Sequence, residues 1–163
     1  MVNEREALRE QLYGVNSHVH TVHALEGIAP GAAGARVPGS PHTIFQILHH
    51  MIYWQDITLA RLRGERPEAP QSAKLGWEAP PAPEDASDWE AAIACLAEGL
   101  RDFEALLADS SFELDAVRDP RRRETAREEI LMVQCHNSYH LGQIAMLRQQ
   151  QGAWPPPKGG DTW

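Results

Sequence analysis

Two histidines, His136 and His140, lie inside a segment whose apolar residues recur at helical spacing, so that Val133, His136, Asn137, His140, Ile144 and Leu147 share one stripe. Such a stripe turns toward a core, because residues three and four apart occupy one face of a helix. Side chains at i and i+4 project one turn apart, and imidazoles there face the same space. Two readings compete. Each histidine can be a core residue with its own hydrogen-bond partners, which requires two separate buried sets, since an unpaired buried polar group costs about 1–3 kcal/mol. Alternatively, one shared cation satisfies both rings, with nitrogen ligands at roughly 2.0–2.1 Å if it is zinc. The pair reads as half of a metal site.

The rest of the chain supplies the helices to surround it. Four amphipathic segments are visible, and no run shows the alternation of a strand. The first covers about residues 3–27, with Leu8, Leu12, Val15, Val19 and Val22 at helical spacing, and a Gly-, Ala- and Pro-rich loop follows from Gly27 to Pro38. Ser40 as N-cap with Pro41 at the first helical position announces the second, which should run to about Arg63 and stop at Gly64 and Pro67. Residues 65–86 hold Pro67, Pro70, Pro80, Pro81 and Pro83, a connection long enough to cross the end of a bundle. Ser87 to Glu90 reads as a capping box for a third helix with the series Trp89, Ile93, Leu96, Leu100, Phe103 and Leu107, ended by Asp109-Ser-Ser. Thr125 to Glu128 is another capping box, opening a helix that carries both histidines to about Gln151, where Gly152 and Pro155 to Pro157 stop it. The expected fold is all-α: one four-helix bundle over residues 1–152 and a C-terminal tail over 153–163, mobile except where Trp154 packs.

Composition narrows the partners. A chain of 163 residues can bury ~70% of its unfolded surface as one domain without disulfide staples. Its formal net charge of −8 gives no footprint for nucleic acid or an acidic membrane, and neither is expected as a partner. Cys95 and Cys135 fall on different helices and read as reduced, small core residues of a cytoplasmic protein. Met1 to Glu6 is charged, without the apolar run of a signal peptide. The run Arg121 to Arg123 reads as a solvated loop, with a docking patch for an anionic substrate as the alternative.

A third ligand must come from another helix. In the second, His50 shares a stripe with Ile47 and Trp54 and points inward, whereas His49 is rotated by roughly 100°. His50 is the better ligand. The order of motifs, His50-Met-x-x-Trp54, then His136-x-x-x-His140-Leu-Gly-Gln-Ile144 and Gly152-Ala-Trp-Pro155, together with the Pro38-Gly-Ser-Pro-His42 lead into the second helix, resembles the DinB-like (DinB/YfiT) superfamily of metal-binding four-helix bundles. The resemblance spans nearly the whole chain. It implies an up-down-down-up bundle with a crossover after the second helix, often dimeric, and a divalent ion held by His50, His136 and His140. Some members resemble thiol S-transferases that use low-molecular-weight thiols, others are described as metal-dependent hydrolases, and many have no assigned reaction. Fold and site are therefore implied more narrowly than chemistry.

Three neutral imidazoles leave coordination positions for water or substrate, as in an open catalytic site, and suit zinc, nickel or iron alike. Such an ion can deprotonate water or a thiol near neutral pH. A zincin peptidase is disfavoured, because His136-Asn-Ser-Tyr-His140 lacks the glutamate of His-Glu-x-x-His. Gln143, three residues beyond His140, can orient a bound water or substrate, or else bridge helices as a buried polar group. His18 can line the same cavity or act as a fourth ligand; His20, His23 and His42 read as surface or loop residues. Tyr53, Trp54 and Tyr139 read as core, or as walls of a substrate site. The leading expectation is a metal-dependent enzyme acting on a small molecule, either thiol S-transferase-like or a hydrolase. The alternatives are a non-catalytic ligand-binding module and a structural metal stapling two helices. A homodimer is expected from the resemblance and from the long apolar series of the first and third helices.

Overall fold

The computed structural model describes residues 3–68, 72 and 74–159. Among them there are five α-helices and no strand: α1 (Glu4–Leu12), α2 (Pro30–Ala33), α3 (Ile44–Leu62), α4 (Ala86–Ala108) and α5 (Ala126–Gln150), with a 3₁₀ turn at His23–Leu25. The four longer helices form the bundle. α3 packs against α4 and α5, and α1 against the same two, so α1 and α3 lie across the bundle from one another. Side-chain pairings set the directions. Gln55 reaches Leu96 O and Arg63 reaches Asp102, so α3 and α4 run parallel. His50 faces His136 while Arg61 faces Glu129, so α5 opposes α3. Arg9 pairs with Glu104 while Arg5 reaches Leu107 O, so α1 opposes α4. The topology is up-down-down-up, and the parallel α3–α4 pair is what requires the long crossover.

Local chemistry explains where the helix ends depart from the sequence expectation. α1 stops at Leu12, not near residue 27, because Gly14 adopts φ 76° and Asn16 φ 63°, the left-handed conformations that close a helix. Val19 is still buried, but Val15, which a continuous helix would turn inward, is 38% exposed. The Gly-rich loop contains the short α2, with Pro30 in its first turn. Thr43, not Ser40, caps α3 through a reciprocal box with Gln46, and Asp85, not Ser87, caps α4. The Thr125–Glu128 box opens α5 as its sequence indicates.

The core joins all the helices through Leu8, Ile44, Phe45, Leu48, Leu96, Leu100, Phe103, Ile130 and Ile144. Trp89, Leu96, Leu100, Phe103 and Leu107 of α4 are spent inside it, with Ile93 packed at its edge. Those residues cannot also supply a dimer face. Both cysteines are exposed, against the expectation of core positions, because each falls off the inward stripe of its helix. The tail is tied down as far as it is described: Trp154 packs on the core, and the buried Arg148 donates to Ala24 O at 2.6 Å and to Ala153 O at 2.8 and 3.0 Å. The expected position of Pro70 in the crossover, and of the tail beyond Gly159, lies outside the described residues.

Candidate metal centre

α3 and α5 each present imidazoles to the space between them. His136 Nε2 lies 3.2 Å from His50 Nε2 and 3.1 Å from His140 Nε2, and the three ligand atoms all fall within 4.8 Å of one another. His50 and His140 are buried, and His136 is half-buried. His49, one residue along, is turned away and meets Phe45 edge-on.

The outer nitrogens determine what the inner ones can do. His50 Nδ1 donates to Gly76 O at 3.2 Å, and His140 Nδ1 donates to Gln143 Oε1 at 2.7 Å. With those protons directed outward, both Nε2 atoms carry lone pairs into the cluster. His136 sits between them, its Nδ1 buried and without a hydrogen-bond partner among the described residues. A proton on His136 Nε2 satisfies only one of its two neighbours, and a proton on Nδ1 leaves three lone pairs facing each other. A cation at the centre removes the conflict, which is the sense in which these residues fit a metal ion.

Electrostatics favour the neutral, ligand-competent rings. Burial, followed by the neighbouring His140 and His136, pushes the His50 pKa down to about 4. Burial and then His140 push His136 down to about 4, and burial lowers His140 as well.

The crossover completes the site in a way the sequence did not disclose. Thr43 donates to Pro81 O, Gln46 to Ala79 O and His50 to Gly76 O, so the chain lies back along the first turns of α3. Gly76 has φ 93°, and a Cβ there would fall 3.1 Å from His50 Nδ1 and 2.7 Å from the Tyr53 ring. The next residue, Trp77, stacks on His50 with ring centroids 3.8 Å apart and on His42 at 3.8 Å, so His42, read as a surface residue, is the outer layer of a three-ring stack. The available signal was a Gly-Trp dipeptide within a Pro-rich connection. Trp54 closes another side, edge-on to both His50 and His136.

The remaining expected site residues separate. Gln143 stands beside the cluster, with its carbonyl on His140. His18 is not with the trio: its Nδ1 meets Val19 O at 2.7 Å and its Nε2 meets Ser138 Oγ at 2.9 Å. Ser138 is two residues from each α5 histidine, roughly 200° around the helix, so His18 contacts a different face of α5. Early termination of α1 carries it there, and its ring lies against Gly14, where a Cβ would be 2.2 Å from it. Tyr139 is 66% exposed, a cavity wall and not core. The arginine run is engaged: Arg121 binds Asp119, and Arg122 meets Glu124 and Glu129.

An open cavity of about 510 Å³ is lined by Ser40, His42, Tyr139, Gln143 and Met146 among others and by no charged side chain; none of the three histidines is in its wall, and Gln143 links it to His140. A second, of about 320 Å³, has His136 in its wall. No described helix is long and apolar enough to cross a membrane. A family model described as the DinB superfamily matches residues 16–144. No curated protein and no solved structure matches the chain.

Proposed function

The chain belongs to the DinB superfamily, and from that premise we propose that it is a metal-dependent enzyme acting on a small molecule, with His50, His136 and His140 holding a divalent ion in an open site. The observation that carries this reading is the convergence of three Nε2 atoms, two of them aimed inward by hydrogen bonds on the far side of their rings, with His136 in the wall of an open cavity. Zinc, nickel or iron would suit such donors. When bound, the ion would lower the pKa of a water or thiol enough to make a nucleophile near neutral pH.

The chain's own groups do the rest. Gly76 O and Gln143 Oε1 hold the His50 and His140 rings in one tautomer, so no rotation is needed to receive a ligand. Trp77 shields one face of His50 from water. The uncharged larger cavity suits a small molecule of low polarity, and His42 in its wall, lowered in pKa by burial and by Arg36, is an imidazole able to accept a proton there. Transfer of a low-molecular-weight thiol to an electrophile is the reaction we favour, with hydrolysis the same site's use of water. Two exposed cysteines, unpaired, are consistent with a reducing, cytoplasmic setting.

The test is metal content of the purified full chain, followed by metal-dependent turnover across thiol-acceptor and hydrolase panels. His136→Ala should lose both the ion and turnover. Metal that stays bound but gives no turnover and admits no exogenous thiol would identify a structural staple instead.

A further inference from the structure

His136 is the member of the trio whose far side has no support. Gly76 O and Gln143 Oε1 accept the outer protons of His50 and His140, but His136 Nδ1 is buried without a hydrogen-bond partner among the described residues. The next residue carries a matching orphan. Asn137 is 3% exposed, and its Oδ1 is likewise buried and unpartnered. Two other polar side chains buried on the same helix are engaged: Gln134 donates to Leu8 O at 2.6 Å, and Arg148 to Ala24 O and Ala153 O. Val133 and Leu141, one turn to either side of Asn137, are buried apolar residues. Packing alone would be served at lower cost by a leucine at position 137, because a buried amide left unpaired is destabilising.

The two orphans lie together. Burial and the neighbouring His140 lower the His136 pKa, and the Asn137 side chain opposes them, as an acceptor beside the ring does. Their geometry is nevertheless not a hydrogen bond, and the tautomer supplies a reason. Without an ion to ligate, His136 is best served by a proton on Nε2, which faces the Nε2 atoms of His50 and His140, and its Nδ1 is then an acceptor beside another acceptor, Oδ1. An ion at the centre reverses this, because all three Nε2 atoms must then be free of protons. The His136 ring loses its Nε2 proton to solvent, gains one from solvent on Nδ1 and stays neutral. That buried Nδ1–H needs an acceptor.

We propose that Asn137 is the positioning residue for His136: on metal binding His136, alone among the three, changes tautomer, and its Nδ1–H donates to Asn137 Oδ1. This rests on the metal site proposed above and adds its third support, so that each ligand ring is held from behind by a different acceptor.

Zinc is the probe, added to the ¹⁵N-labelled full-length protein, with imidazole tautomers read from long-range proton–nitrogen correlation spectra. Before zinc, His50 and His140 should show the Nδ1–H pattern and His136 the Nε2–H pattern; after it, all three should show Nδ1–H. Asn137→Leu should weaken zinc at least tenfold in a chelator competition while leaving the denaturation midpoint of the metal-free protein unchanged or raised, a combination that a purely structural amide would not produce. Asn137→Asp retains an acceptor and should bind zinc at least tenfold more tightly than Asn137→Leu. The proposal is overturned if His136 lacks Nδ1–H in the zinc-loaded protein, if it already carries one before zinc is added, if Asn137→Leu keeps wild-type affinity, or if that variant also lowers the metal-free midpoint. When none of the three imidazoles responds to zinc, the metal reading itself fails; when His50 and His140 respond and His136 does not change tautomer, the role of Asn137 alone fails.

Discussion

Gln143 has a partner that the sequence did not indicate. Spacing from His140 suggested a side chain touching bound water or substrate, but its carbonyl is committed to His140 Nδ1 at 2.7 Å. In the proposed metal site it would be a positioning residue for His140, and Gln143→Ala should lower metal affinity by roughly 10–100-fold, the usual effect of removing such a support. A competition assay against a coloured chelator reads this directly, and wild-type affinity in the variant would contradict it. The same histidines predict an acid limit. His50 and His136 titrate near 4 in the folded chain against about 6.5 unfolded. Below pH 6.5 the unfolded chain therefore binds more protons, and the stability of the metal-free protein should be full above that value and decline as pH falls toward 4. Denaturant midpoints measured from pH 7 to pH 4 check the sign. Replacing His50 and His136 by Gln should flatten the decline.

At the scale of elements, the crossover is part of the site and not only a connection. Its register depends on Gly76, whose φ of 93° and contacts with His50 and Tyr53 leave no room for a side chain. Gly76→Ala should destabilise the protein by about 1–3 kcal/mol and displace Trp77 from His50, seen as a change in tryptophan fluorescence. An unchanged midpoint and spectrum would argue that the crossover is loosely held. α5 carries the other unexpected element. The α4 series expected to offer a dimer face is buried, while Leu131, Cys135, Tyr139 and Met146 form an exposed stripe on α5. For the homodimer that the resemblance implies, we propose the Leu131 and Cys135 part of that stripe as the contact, since Tyr139 and Met146 line the larger cavity. Leu131→Lys should then shift sedimentation from a dimer toward 18.2 kDa, and a wild-type chain that sediments as a monomer would refute the contact.

For the whole molecule, the trio joins α3 to α5, and Arg148 joins α5 to the segments on either side of the bundle's end through Ala24 and Ala153. An ion bound only by the folded arrangement stabilises it by mass action, about 4 kcal/mol at a free concentration 1,000 times Kd. Chelation from that condition should lower the Tm by roughly 8–16 °C for a chain of this size. Calorimetry with and without chelator measures it, and a Tm insensitive to chelator would mean that the three histidines do not hold an ion in the native state.

What could be read from the amino-acid order was whatever one helix settles for itself. A residue advances about 100° around a helix, so the stripes of α3, α4 and α5, the pairing of His136 with His140, and the choice of His50 over His49 followed from position along a single element. The Thr125 capping box and the length of the crossover were equally local, and so was the inference of a bundle. Partners drawn from distant parts of the chain were not available to that reasoning. Trp77 over His50, Gly76 O on its Nδ1, His18 on Ser138, and the Arg61–Glu129–Arg122 cluster all depend on which elements the folded chain brings into register. Even the end of α1 was decided this way, where two residues with positive φ turned the chain and let Val19 and His18 pack where a continuous helix could not have placed them. Periodicity determines a face, and only tertiary packing determines what lies against it.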